Sequence, residues 1–156
     1  MSTIREIRLE QLHLLRDFLY DAIFVPEGET PPDKCILDRP ELQVYIEHFG
    51  ERTGDKCLVA EVDGTLAGAV WVRIMNDYGH IDDETPSFAL SVRKEYRRQG
   101  IATVLMKAML EHLREAGYKQ ASLSVQKANF ALNLYKNIGF KIFSENDNEY
   151  IMLIQI

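Results

Sequence analysis

Leu90-Ser-Val-Arg-Lys-Glu-Tyr-Arg-Arg-Gln-Gly-Ile-Ala-Thr103 holds, in order, the end of an apolar strand, a basic turn closed by a glycine, and a helix start. A helix start leaves its first amides unpaired and gathers about half a positive charge, so it binds anions, phosphate above all. Gly100 lets the backbone approach an anion closely, Arg97 and Arg98 add charge, and the small Ala102 leaves the approach open. Taken alone, the stretch reads equally as a strand–turn–helix connection with an incidental arginine pair. It is not a Walker phosphate loop, since no Gly-Lys-Ser/Thr follows, and it is not Gly-x-Gly-x-x-Gly.

Downstream, residues 100–116 read as a helix whose apolar face is Ile101, Val104, Leu105, Ala108 and Leu113, with Lys107, Glu111 and Arg114 on the wet side. Gly117 stands where a C-capping glycine belongs. A strand over 120–125, a helix over 130–138 stopped by Gly139, and a closing hairpin of 141–145 and 150–156 follow. Upstream, 3–9 reads as a short strand, 10–23 as an amphipathic helix, 25–40 as an irregular proline-rich loop and 41–48 as a second helix. Apolar, β-rich runs at 57–62 and 65–75 flank Asp63-Gly64, a strong hairpin signal; an acidic connection over 76–86 leads to a strand at 88–92. Strands interleaved with helices predict one α/β domain over 1–156, a mixed sheet with helices on both faces.

Ser124-Val-Gln-Lys-Ala-Asn129-Phe-Ala-Leu-Asn-Leu-Tyr135-Lys-Asn-Ile-Gly139-Phe140 is the second informative segment. Asn129 is placed as an N-cap, and Ala131, Tyr135 and Ile138 share one helix face, which turns the Tyr135 phenol inward. By spacing alone Tyr135 is a core tyrosine. Taken together, however, Arg97-x-x-Gly100-x-Ala102 after a strand and Asn129-x-Ala131-x-x-Leu134-Tyr135-x-x-x-Gly139-Phe140 resemble the two cofactor elements of the GNAT superfamily of N-acetyltransferases. The element order resembles that family too. It implies a central, mostly antiparallel sheet of seven strands with splayed middle strands and four helices on its two faces.

The resemblance implies acetyl-CoA as co-substrate and direct transfer to a primary amine, without a covalent enzyme intermediate. Leu90, Ser91 and Val92 would pair with the pantetheine arm as an added strand does. The amides of Arg98, Gln99, Gly100, Ile101, Ala102 and Thr103 would hold the pyrophosphate, with Arg97 beside them. Asn129 would lie near the thiol end, and Tyr135 would assist the leaving thiolate. Many family members carry a glutamate beside the strand before this loop, but Ser87-Phe-Ala-Leu-Ser-Val92 has no carboxylate. The nearest are Asp82, Asp83 and Glu84, so Glu84 is the candidate base, with His80 behind it. A catalytically idle acyl-CoA sensor of the same fold and a nucleotide-binding domain are the competing readings; Tyr135 opposes the first and the missing Walker lysine the second.

Charge is uneven along the chain. Residues 1–86 carry 8 Lys/Arg against 18 Asp/Glu, a balance of −10, while residues 87–156 carry 10 against 6, a balance of +4. The basic half suits the anionic co-substrate and the acidic half a cationic amine. The resemblance implies that the first helices and the 25–40 loop surround the acceptor, and the 82–84 turn is expected near the same mouth. An acidic chain without a basic stripe speaks against nucleic acid, and no apolar run nears the ~20 residues a membrane span needs. The charged N-terminal stretch lacks the apolar core of a signal peptide, which makes the cytoplasm the expected compartment. Cys35 and Cys57 have no metal-ligand spacing, so no metal is expected. A homodimer is one option for assembly.

Overall fold

The structure, a computed structural model, describes residues 2–75 and 80–156. Seven strands form one sheet in the order β1-β2-β3-β4-β5-β7-β6. They are β1 (Thr3–Glu6), β2 (Lys56–Val62), β3 (Thr65–Arg73), β4 (Ser87–Val92), β5 (Gln120–Gln126), β6 (Lys141–Glu145) and β7 (Glu149–Gln155). The helices are α1 (Leu15–Ala22), α2 (Pro40–Gln43), α3 (Ile101–Glu115) and α4 (Ala131–Ile138). Every neighbouring pair is antiparallel except β4 and β5, which run parallel and pair at Ser87 with Ser122 before diverging.

The period-2 alternation of the strands feeds two cores. Val70, Val72, Phe88, Leu123 and Val125 pack with Leu105, Met106, Met109 and Leu113 of α3 on one face, where Leu132, Tyr135 and Ile138 of α4 join them. Ala69, Trp71, Cys57 and Val59 pack with Leu15, Phe18 and Leu19 of α1 and with Leu37 on the other. Helix α1 thus covers one face of the sheet, and α3 and α4 cover the other.

The expected first helix begins late. Leu9–Leu14 winds as a 3-10 helix, where the Gln11 side chain accepts from Arg8 N at 3.2 Å and Arg5 Nη1 at 3.1 Å, and regular α-helix starts at Leu15. The helix expected over 41–48 lasts only through α2. Its carbonyls are diverted: Arg73 Nη1 donates to Val44 O at 3.2 Å and Glu47 O at 2.6 Å, and Trp71 Nε1 donates to Tyr45 O at 3.1 Å. A carbonyl that serves a sheet side chain turns away from the axis that would propagate the helix. Within the 25–40 loop, Lys34–Asp38 forms a 3-10 turn capped by Asp33, whose Oδ1 accepts from Cys35 N at 2.9 Å. Of the expected connection over 76–86, residues 76–79 lie outside the described residues.

Candidate active site

The divergence of β4 from β5 builds the site. Beyond Ser87 the edge of β4 that faces β5 has no strand partner, which leaves Phe88–Val92 backbone free to pair with an extended ligand. The strands meet at their N-terminal ends, so the gap opens toward Val92 and Gln126. A cleft of about 260 Å³ occupies it. Phe88, Ala89 and Leu90 line one side, Ser124, Val125 and Gln126 the other, and Leu19, Phe24, Leu42 and Tyr45 form a wall. Ser91 Oγ is buried and makes no hydrogen bond in the structure.

At the open end β4 leads into the basic turn. Arg97 Nε donates to Val92 O at 3.1 Å, which ties the turn back to the strand. Arg98 adopts φ 63° and Gly100 φ 80°, a reversal that aims the chain into α3. Val104 N donates to Gly100 O at 3.2 Å, so the amides of Ile101, Ala102 and Thr103 are the free ones of a helix start. Arg97, Arg98, Gln99 and Gly100 are exposed; Ile101 is buried and anchors α3 to the sheet. A side chain at Gly100 would meet no protein atom within 4 Å, so the space in front of this turn is open for a ligand.

From the opposite side α4 delivers Tyr135. Asn129 Oδ1 accepts from Ala131 N at 2.9 Å and so caps the helix start, one residue ahead of the helix boundary residue Phe130. Tyr135 stands edge-on to Phe140, ring centroids 6.1 Å apart, and Phe140 in turn packs edge-on against Phe88 of β4 at 5.8 Å. This aromatic relay holds the phenol in the cleft beside Asn129. The ring keeps a strip of accessible surface there but is hemmed in by protein on all sides, and that burial pushes its pKa up to about 12. The phenol therefore stays protonated at neutral pH.

Glu84 does not reach this cleft. Asp82 Oδ1 accepts from Glu84 N at 2.8 Å and from Thr85 Oγ1 at 2.7 Å, a tight turn that sends Glu84 outward. Gln120 Nε2 donates to Thr85 Oγ1 at 2.8 Å and ties the turn to the start of β5, the closed end of the gap. Asp82, Asp83 and Glu84 line a separate depression with Tyr118 and Lys119. His80 turns its Nδ1 to Met75 O at 2.8 Å. The carboxylate that does line the cleft is Glu149, at the head of β7, between the two strands expected from sequence. Tyr45 was missed as well; nothing local marks it, because Trp71 and Arg73 hold its segment against the sheet.

Cys35 is exposed outside the cleft and Cys57 is buried under α1, where burial pushes its thiol far up. Among the described residues no cluster of three or more His, Cys, Asp or Glu could hold a metal ion, and no helix is long and apolar enough to cross a membrane.

The strand gap holds the partly buried Tyr135 phenol, and the basic helix start follows β4 beyond the gap's open end. The family model of the GNAT acetyltransferases matches residues 16–140, and the chain belongs to that family. Its class is acetyl-CoA-dependent N-acetyltransferase. It is 29% identical over 124 residues to an N-alpha-acetyltransferase of Sulfurisphaera tokodaii, covering 69% of this chain and 73% of that protein. It is 33% identical over 107 residues to human N-acetyltransferase 8B, covering 68% of this chain but only 47% of that longer protein. The fold matches the PaiA N-acetyltransferase of Thermoplasma acidophilum, solved in complex with coenzyme A, with a TM-score of 0.75 at 19% identity over 100% of this chain and 99% of that one.

Proposed function

We propose that this protein transfers the acetyl group of acetyl-CoA to a cationic primary amine by direct attack. The observation that carries the reading is the meeting of an unpaired β4 edge and the Tyr135 phenol in one cleft. Backbone groups of Leu90, Ser91 and Val92 take the pantetheine arm. The amides of Arg98, Gln99, Gly100, Ile101, Ala102 and Thr103, with the Arg97 and Arg98 charges, take the pyrophosphate. The amine attacks the thioester carbonyl, a β4 amide stabilises the oxyanion, and the thiolate departs beside Tyr135 and Asn129. The absence of a thiol among the cleft-lining residues supports attack by the amine itself.

The acceptor side is the α1 face, built from the half of the chain with a balance of −10. Tyr20 Oη donates to Pro32 O at 2.5 Å and holds the 25–40 loop to α1, so this loop borders the acceptor and sets which amine fits. Added salt is expected to raise the acceptor KM while leaving kcat nearly unchanged.

The test is a panel of phenethylamine, spermidine, kanamycin, a tri-alanine peptide with a free amino end and Nα-acetyl-lysine. Free thiol and the mass of the amide product are both followed. The expected result is stoichiometric thiol and amide from at least one amine; thiol release without amide, or neither, overturns the reading. Acetyl-CoA at 100 times its dissociation constant adds about 2.7 kcal/mol of stability. Gly100→Val is expected to abolish that gain, both by forcing a β-branched residue to a positive φ and by filling the open approach. A normal melting shift in the variant would remove the turn from the binding site.

A further inference from the structure

Glu149 opens β7 opposite Gln126 of β5, in a register that puts Val125 opposite Tyr150 and Ser124 opposite Ile151. Val125 and Tyr150 face the α3 core, so Gln126 and Glu149 face the other way, toward α1. This is the acceptor side. Glu149 lines the same cleft as Tyr135, at the end where the β4–β5 gap is open. It is half-buried, and its carboxylate has no hydrogen bond or ion pair with a described residue. The adjacent cation is spoken for: Lys127 Nζ lies 3.6 Å from Glu145 and 5.1 Å from the Tyr150 ring centroid. The turn itself is held without the side chain, since Asn146 Oδ1 accepts from Glu149 N at 2.7 Å and Asn146 N donates to Glu149 O at 3.0 Å. A half-buried carboxylate that the fold does not use is available to a ligand.

We propose that Glu149 is the general base of the transfer, taking a proton from the acceptor's ammonium on the α1 face of the gap. The proposal rests on the acetyl-transfer reading above. The N–H proton passes to a Glu149 carboxylate oxygen, and the freed lone pair forms the N–C bond to the thioester carbonyl. The C–S bond then breaks. Of the two protons the nitrogen loses, one ends on the thiol and one passes from Glu149 to water. Burial holds the Glu149 carboxyl above its usual range, which brings a carboxylate base nearer the working pH. The titratable groups that share its cleft are Tyr135 from α4 and Tyr45 from the segment after α2, and the charged residues next along its hairpin and the facing strand end are Asp147, Glu145 and Lys127, the last two paired with each other.

The test compares Glu149→Gln, Glu149→Asp and Glu84→Gln on the best amine of the panel. Glu149→Gln is expected to lower kcat/KM by about 100-fold or more at pH 7. The loss should shrink toward pH 10, where the free amine needs no base, and acetyl-CoA affinity should stay unchanged. Glu149→Asp should recover part of the rate. A stability readout separates this from a structural role. The raised carboxyl pKa means that the ionised form opposes folding, a penalty present above the unfolded-state pKa and lost as pH falls. The Gln variant should therefore melt at or above the parent temperature at pH 7, with the gain fading at pH 4. Unchanged kcat/KM in Glu149→Gln, a loss equal at every pH, or the same pH-dependent loss in Glu84→Gln instead would overturn the proposal. If the parent protein acetylates no amine, the transfer reading falls first and this one with it.

Discussion

Asp55→Ala is expected to destabilise the fold by about 3–5 kcal/mol, which for a chain of this length lowers the melting temperature by roughly 10 °C. Asp55 and Arg73 form a buried ion pair, 1% and 0% exposed, with Nε to Oδ1 at 3.0 Å and Nη2 to Oδ2 at 2.8 Å. Asp55 Oδ2 also accepts from Gly50 N and Arg52 N, and the guanidinium lies 5.1 Å from the Phe49 ring centroid. Removing the carboxylate leaves a guanidinium in the core with two carbonyls and a ring, and no counter-charge among the described residues. A double change of Arg73 to Met with Asp55 to Leu should cost less than Asp55→Ala alone, because it buries no orphan charge. The functional consequence reaches the cleft. Arg73 holds the carbonyls of Val44 and Glu47 on either side of Tyr45, so loosening it frees the cleft wall that the proposed function assigns to the acceptor. The acceptor KM should rise in Asp55→Ala while acetyl-CoA affinity stays close to the parent. Calorimetry and steady-state kinetics check the two halves separately; a stable variant with an unaltered acceptor KM would make the pair dispensable.

Tyr135→Phe is expected to lower kcat by about 100-fold, with acetyl-CoA affinity within roughly twofold of the parent. The phenol pKa of about 12 lies above the roughly 8.5 of an alkyl thiol, so full proton transfer to the thiolate is uphill by about 5 kcal/mol. On the proposed reading Tyr135 is expected to act by donating a hydrogen bond to the developing thiolate, an effect at the low end of general-acid contributions. The hydroxyl has no hydrogen bond to a described residue, and the ring keeps its edge contact with Phe140, so the variant should melt at the parent temperature. Parent-level turnover in Tyr135→Phe would leave the residue as packing for Phe140 and nothing more.

The elements proposed to carry the chemistry were legible where they are short and continuous. The Arg97–Thr103 turn stands out because strand, glycine turn and helix start are consecutive; for Tyr135 periodicity gave only the helix and its inward face, and the family resemblance supplied the proposed role. Contacts between distant segments left no local trace. The Arg73 link to Val44 spans 29 residues, and it is this link that ends α2 early and positions Tyr45. The acidic turn shows the opposite error. Asp82, Asp83 and Glu84 precede β4 in sequence, which drew them to the cleft mouth, but β4 begins at the end where it still pairs with β5. Only the parallel register tells which end of the gap is open. Glu149 escaped notice because its face is set by its partner Gln126, a residue of another strand.

Hydrogen–deuterium exchange with and without acetyl-CoA tests directly whether the β4–β5 gap is the binding site. Protection is expected along Phe88–Val92 and over 98–104, with little change at 82–84. Protection that spared both stretches while the protein still bound acetyl-CoA would contradict the site and move the chemistry elsewhere on the fold.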